Sequence, residues 1–107
     1  MPIDLEPQYL RMVEEVLQQH IPDCEVRVFG SRVTGRAKKF SDLDLAIVST
    51  AALSSRRMAL LANAFEESNL PFKVDILDLA AAGPNIQTSV AQNSEVMLSG
   101  FRDADRK

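Results

Sequence analysis

The sequence predicts a small α/β protein in which a few helices flank one mixed β-sheet. Three segments combine apolar and β-branched residues in the short runs typical of strands, and they span residues 24–29, 43–48 and 72–79. Three others carry apolar residues at the spacing of amphipathic helices, and they span residues 6–19, 56–68 and 85–98. Because 107 residues with 46% hydrophobic content suffice for one core, we expect residues 1–107 to form a single domain.

The first helix is predicted for roughly Glu6 to Gln19. Its apolar stripe comprises Tyr9, Leu10, Val13, Val16 and Leu17. Pro22 ends the helix, because proline disfavours helical geometry in the residue before it. His20 is the only histidine, and we expect it to lie at the helix end or surface rather than to act in catalysis.

The segment from Cys24 to Phe29 is predicted to be a strand that leads into a tight turn at Gly30-Ser31. Glycine lets the backbone approach a ligand closely, and Ser31 is placed to cap a short helix whose free N–H groups attract an anion. The turn is therefore a candidate phosphate loop. Because Cys24 is the only cysteine, no internal disulfide can form, and we expect a buried thiol in a reducing compartment.

The segment 43–48 is too apolar for a loop and too β-branched for a helix, so it is predicted to be a buried strand. Asp42 and Asp44 are two residues apart and share one face of this strand, because side chains alternate. Two such carboxylates repel each other unless water or a divalent cation holds them. Oxygen ligands without a His or Cys cluster favour magnesium or manganese over zinc.

Helix 56–68, capped by Ser54 or Ser55, connects the second strand to the third. A strand, helix and strand in this order form a right-handed crossover, so the third strand is expected to run parallel to the second. This arrangement places Asp75 next to Asp44 and makes it the preferred third carboxylate. Asp78 is the alternative, but it falls on the opposite face and is expected to end the strand or to cap the next segment of chain.

The last predicted helix covers Asn85 to about Leu98, and Ser99-Gly100 ends it. Its apolar face comprises Ile86, Val90 and Met97. The predicted order is helix, strand, strand, helix, strand, helix, around a sheet of three or slightly more strands.

The charged residues argue against nucleic-acid binding and indicate a local site for phosphate or for an acidic partner. The net charge of −3 argues against direct nucleic-acid binding, which needs many phosphate-neutralising cations. Cationic residues nevertheless concentrate in one stretch that includes Arg32, Arg36, Lys38 and Lys39. This stretch is either a solvated loop, or a phosphate clamp at Arg32 followed by a docking surface for an acidic partner. No apolar run has the length of a membrane span and no leader pattern is present, so we expect a cytoplasmic protein without membrane association.

One stretch resembles a known signature. It reads Phe29-Gly30-Ser31-Arg32, continues through Gly35, and ends in Ser41-Asp42-Leu43-Asp44-Leu45. Its glycine-serine and acidic parts look like the signature of the nucleotidyltransferase superfamily typified by DNA polymerase beta. The fuller form is similar to the minimal nucleotidyltransferases, or MntA-type antitoxins, which are usually encoded beside a helical HEPN-domain toxin. The resemblance therefore implies a polymerase beta-like nucleotidyltransferase fold and a HEPN-type partner.

The resemblance also implies a reaction, the transfer of AMP from ATP to a hydroxyl of the HEPN toxin, namely that of a tyrosine. Two Mg²⁺ ions, or Mn²⁺ in their place, support the in-line displacement in such sites. The residues implied as catalytic and metal-binding are Asp42, Asp44 and Asp75. Asp75 either completes the shell of the first ion or accepts the proton of the nucleophile. The residues implied as nucleotide-binding, which would cradle the β- and γ-phosphates, are Gly30, Ser31 and Arg32.

Three functions stay open at this point. The protein is an active antitoxin that adenylylates its partner, a non-catalytic antitoxin of the same fold, or an aminoglycoside-type nucleotidyltransferase. The presence of all three carboxylates favours activity, and the absence of a C-terminal drug-binding domain disfavours the third function. Because a domain of this size has few walls to enclose a substrate, we expect an oligomer or a heterocomplex.

Overall fold

The computed structural model describes residues 3–38, 40–49 and 51–98. A four-stranded sheet in the order β3-β2-β1-β4 lies at its centre, which confirms the predicted mixed sheet flanked by helices. In chain order the elements are α1 (Pro7–His20), β1 (Glu25–Phe29), α2 (Ser31–Thr34), β2 (Leu43–Val48), α3 (Ser55–Glu66), β3 (Val74–Asp78), a 3-10 turn (Leu79–Ala81), α4 (Pro84–Gln92) and β4 (Glu95–Leu98).

The sheet contains both pairing directions. β1 pairs antiparallel with β2 and with β4, whereas β2 pairs parallel with β3. The parallel pair confirms the crossover expected through α3. Ser54 caps α3, because its hydroxyl accepts a hydrogen bond from the backbone N–H of Arg57 at 3.1 Å.

The core lies between one face of the sheet and the helices α1 and α3. Its fully buried side chains include Val13, Leu17, Val26, Val28, Leu43, Leu45, Ile47 and Leu61. On β3, Val74 and Ile76 pack against the same core. Because side chains alternate along a strand, Asp44 and Asp75 lie on the opposite face of the sheet. The packing of the core therefore decides which face carries the acidic residues.

The predicted helix over residues 85–98 is wrong in its second half. The chain leaves helical geometry at Asn93, with φ −132° and ψ 51°, and Glu95–Leu98 pairs with the edge of β1. Arg27 fixes this turn by donating to the Ser94 hydroxyl at 2.6 Å and to its carbonyl at 3.2 Å. Met97 therefore lies in a strand rather than on a helix face. The predicted stop at Ser99-Gly100 falls outside the described residues.

We predicted no catalytic role for His20 and Cys24, and the structure shows where each of them lies. His20 is the last residue of α1, where its carbonyl accepts a hydrogen bond from the Arg57 guanidinium at 3.1 Å. Cys24 is buried just before β1. Across residues 3–38, 40–49 and 51–98, no helix combines the length and the apolarity needed to cross a bilayer.

Candidate active site

Two carboxylates stand side by side on the face of the sheet that α1 and α3 leave uncovered. Asp44 of β2 and Asp75 of β3 are direct Cα partners in the parallel register. Asp42 lies one residue before β2 and is exposed. The register therefore brings Asp44 and Asp75 together, and Asp42 approaches them from the loop.

The Asp44 carboxyl group is affected by its burial and by two neighbouring acidic residues. Burial raises the pKa of Asp44, and the neighbouring negative charges of Asp75 and Asp42 raise it further. Asp75 forms an ion pair with Lys73, at 3.6 Å between Nζ and Oδ1; the Lys73 side chain is largely exposed and that of Asp75 is half exposed. A cation from outside the chain would relieve the repulsion between these carboxylates.

The described side chains do not by themselves form a complete metal cage. Within the described part of the chain, no three carboxylate, imidazole or thiol side chains are arranged as a metal-ligand cluster. The oxygen donors of Asp44 and Asp75 fit a hard divalent cation in their chemistry, but such a cation needs further ligands from water or from a bound phosphate.

Asp78 lies away from this pair. It is the last residue of β3, and its two carboxylate oxygens accept hydrogen bonds from the backbone N–H groups of Leu53 at 2.7 Å and Ala80 at 3.2 Å. These bonds hold the loop before α3 and start the 3-10 turn. Asp78 thus ends the strand and caps the following turn, as the two-residue period predicts.

Gly30 forms the wall of the site next to Asp44. Its φ of +77° places it in a region that favours glycine, and a Cβ atom built there would overlap Asp44 Oδ2 and lie 3.3 Å from Asp44 Cγ. The prediction that Ser31 caps the short helix is wrong, because Gly30 occupies the cap position and Ser31 is the first residue of α2. The close approach of backbone and carboxylate is the reason for glycine at this position.

Arg32 is buried, which differs from the exposed position that a phosphate contact would need. The sequence assigned it to the phosphates, but the residue is only 5% exposed, and its guanidinium donates to the carbonyls of Asp4 at 3.0 Å and Ser41 at 2.8 Å. The guanidinium carbon also lies 4.8 Å from the centre of the Phe72 ring. Arg32 therefore joins the N-terminal segment to the loop that presents Asp42, and we assign it a structural role.

Ser41 is a contributor that the sequence did not single out. Its carbonyl accepts the hydrogen bond from Arg32, and its hydroxyl accepts one from the backbone N–H of Lys38 at 2.7 Å. These contacts fix the chain immediately before Asp42. In the sequence, the only indication of this role is the position of Ser41 directly before Asp42.

The comparison with protein families agrees with this geometry. The family model for polymerase beta nucleotidyltransferases matches residues 12–102, a range that contains the carboxylate pair and the Gly30 turn. The chain belongs to this nucleotidyltransferase family. The fold and the signature that the sequence indicated are thereby confirmed, and so is the class of enzyme.

Individual members of the nucleotidyltransferase family are also similar to the chain. It is 46% identical over 85 residues to the probable protein adenylyltransferase MntA of Haemophilus influenzae, which covers 79% of this chain and 75% of that protein. A crystal structure of a toxin–antitoxin with AMP-PNP matches with a TM-score of 0.71 at 24% identity, over 91% of this chain and 77% of the other.

A second solved structure holds the tri-AMPylated HEPN toxin of Shewanella oneidensis in complex with its MNT antitoxin. It matches with a TM-score of 0.67 at 20% identity, over 95% of this chain and 78% of that chain. At these identities both structural matches show a common fold.

The Gly30 contact in this nucleotidyltransferase gives a testable prediction. Gly30→Ala is expected to lower the rate of nucleotidyl transfer by about a hundredfold, because the added methyl group displaces the Asp44 carboxylate. Steady-state assays measure this loss. Gly35→Ala is the matched control, since Gly35 also has a positive φ, of +84°, but among the described residues beyond its chain neighbours no atom lies within 4 Å of its added Cβ. Equal losses of activity in both variants would show that backbone strain, and not contact with Asp44, is responsible.

Two described residues of the basic stretch, Arg36 and Lys38, lie in the chain between α2 and Ser41. Arg36 and Lys38 are exposed, and Lys39 falls outside the described residues. The suggestion that these lysines dock an acidic partner stays a prediction.

Proposed function

We propose that this nucleotidyltransferase transfers AMP from ATP to a tyrosine hydroxyl of a HEPN-type toxin and acts as its antitoxin. The proposal rests on one observation. Asp44 and Asp75 are partners in the parallel register of β2 and β3, and the Gly30 turn lies against Asp44. The MntA relative, a probable protein adenylyltransferase, and the fold shared with antitoxins in toxin complexes support the choice of acceptor. A cytoplasmic location is part of the proposal, since ATP and the toxin would be met there.

The chemistry requires one bond to form and one to break. The acceptor oxygen bonds to the α-phosphorus of ATP, the bond from that phosphorus to the bridging oxygen breaks, and pyrophosphate leaves. The proton of the acceptor hydroxyl passes to a carboxylate or to water. We propose Asp75, which is half exposed beside Asp44, as the carboxylate that receives the proton.

The site residues would also bind the divalent ions and orient the phosphates of ATP. Asp42, Asp44 and Asp75 would hold the divalent ions, and Gly30 and Ser31 would bring backbone close to the β- and γ-phosphates. When bound, Mg²⁺ or Mn²⁺, in a pair of ions, acidifies the attacking hydroxyl and neutralises charge on the leaving pyrophosphate. The loop that Arg32 anchors keeps Asp42 in reach of these groups.

Metal binding is expected to depend on nucleotide. Because the described side chains form no three-ligand cluster, magnesium alone should bind weakly, and ATP should strengthen its binding by supplying phosphate oxygens. Calorimetric titration of magnesium with and without a non-hydrolysable ATP analogue measures the difference. Equal magnesium affinity in both titrations would contradict the proposed site.

Transfer must be separated from simple neutralisation by binding. The protein is incubated with magnesium, a HEPN-type toxin, and ATP labelled in either the α- or the γ-phosphate. The proposal expects the α-label on the toxin and the γ-label in pyrophosphate. A toxin that is neutralised without label indicates a non-catalytic antitoxin, and γ-label on the toxin indicates a kinase-type reaction.

A further inference from the structure

A cleft of about 490 Å³ begins at Asp75 and runs between α3 and the outer edge of β3. We refer to it as the edge cleft. Its apolar wall includes Phe65, Leu70, Phe72 and Ile76, and its rim carries Glu66, Lys73 and Asp75. Asp75 therefore belongs both to the carboxylate pair and to this cleft.

The outer edge of β3 has backbone groups that can pair with another strand. Among the described strands, β3 is the last of the sheet, and β2 is its neighbour. The N–H of Leu43 donates to the carbonyl of Lys73 at 2.9 Å, and Val74 is the Cα partner of Leu43. In a parallel pair such a register turns the backbone groups of Val74 and Ile76 away from β2. An extended peptide can add to an edge of this kind.

We propose that the edge cleft binds the acceptor polypeptide as an added strand beside β3, with its hydroxyl residue opposite Asp75. This inference rests on the proposed transfer to a protein hydroxyl. Residues directly opposite each other in a sheet share a face, so the acceptor side chain would point to the face that holds Asp44 and Asp75. Its immediate neighbours in sequence would then point into the apolar wall of the cleft.

The chemistry of the cleft selects the occupant. Two aromatic side chains in the wall, Phe65 and Phe72, suit apolar neighbours of the acceptor residue. The rim carries two carboxylates and one ammonium group. This excess of negative charge disfavours the binding of a phosphate backbone and favours a neutral or basic peptide segment. The favoured acceptor is therefore an extended segment in which a hydroxyl residue lies between two apolar residues.

The test uses short fluorescent peptides with a central tyrosine between two valines, or between two aspartates. Fluorescence anisotropy measures peptide binding by the full chain, and the transfer of α-labelled phosphate is followed in parallel. Ala62→Trp fills the cleft from the exposed side of α3, whereas Ala59→Trp adds the same bulk to an exposed site that does not line it. We expect Ala62→Trp to weaken binding of the valine peptide by about tenfold or more and Ala59→Trp to leave it unchanged.

A second measurement tests strand addition itself. N-methylation of alternate peptide amides should abolish binding, and the same modification shifted by one residue should be tolerated, because only every second amide faces β3. The inference is overturned if the valine peptide does not bind, if Ala62→Trp binds it normally, or if both methylation patterns are tolerated. Peptide binding at the edge cleft without transfer of label would instead count against the proposed reaction.

Discussion

Asp44→Asn is expected to lower AMP transfer by about a thousandfold, equivalent to about 4 kcal/mol of transition-state stabilisation, while the protein becomes more stable. The loss follows from the removal of the charged oxygen ligand beside Asp75 and Gly30. The gain follows because burial and two neighbouring carboxylates raise the pKa of Asp44, so that its ionised form is unfavourable in the folded state.

The gain in stability has a defined pH dependence in metal-free protein. When the pKa of a carboxyl group is higher in the folded protein than in the unfolded chain, the folded protein holds the proton more tightly. The ionised group therefore destabilises the folded state as the pH rises above the ordinary carboxyl pKa of about 4 and through the raised pKa. The melting temperature of Asp44→Asn should therefore exceed that of the wild type at neutral pH, and the difference should vanish in acid. Thermal melts in EDTA across this range measure it.

Two further substitutions separate catalysis from structure. Asp75→Asn should lower transfer as Asp44→Asn does. Asp78→Asn should retain transfer and lose stability, because Asp78 accepts hydrogen bonds from Leu53 and Ala80 rather than facing the site. Wild-type transfer by both Asp44→Asn and Asp42→Asn would contradict the assignment of the site.

Arg32→Ala is expected to lower the free energy of unfolding by about 2–3 kcal/mol. Its guanidinium is buried, donates to the carbonyls of Asp4 and Ser41, and lies over Phe72, so truncation removes two hydrogen bonds and the packing on the ring. Arg32→Lys should recover little of this loss, because an ammonium group does not reproduce the planar guanidinium. Denaturant titrations measure both variants.

A matched control lies in the same stretch of chain. Arg36 is exposed, so Arg36→Ala should change the free energy of unfolding by less than about 0.5 kcal/mol. If Arg32→Ala keeps the stability of the wild type and only weakens ATP binding, the role assigned from its burial is wrong and the phosphate clamp indicated by the sequence is correct.

These residues also show how much a sequence can reveal about this fold. The positions of α1, β1, β2 and α3 depend on local periodicity, and the structure places them close to the predicted ranges. The two-residue period also separates Asp75 from Asp78 on the sequence alone, because that choice depends only on side-chain alternation in a strand.

The features that the sequence did not reveal depend on distant contacts. β4 is a four-residue strand whose pairing with β1 lies about seventy residues away in sequence, so its local pattern is compatible with the end of a helix. Arg32 carries the charge of a phosphate ligand, and only the packing of Asp4 and Phe72 around it shows that it is buried. The contact between Gly30 and Asp44 likewise needs the register of β1 against β2.

Intact-mass spectrometry of a HEPN-type toxin distinguishes AMP transfer from neutralisation by binding alone. A HEPN-type protein is co-expressed with the wild-type protein or with Asp44→Asn, purified and weighed. We expect one or more added AMP groups on a tyrosine with the wild type, and unmodified toxin with Asp44→Asn. A toxin that is neutralised by the wild-type protein yet carries no added AMP would contradict this expectation.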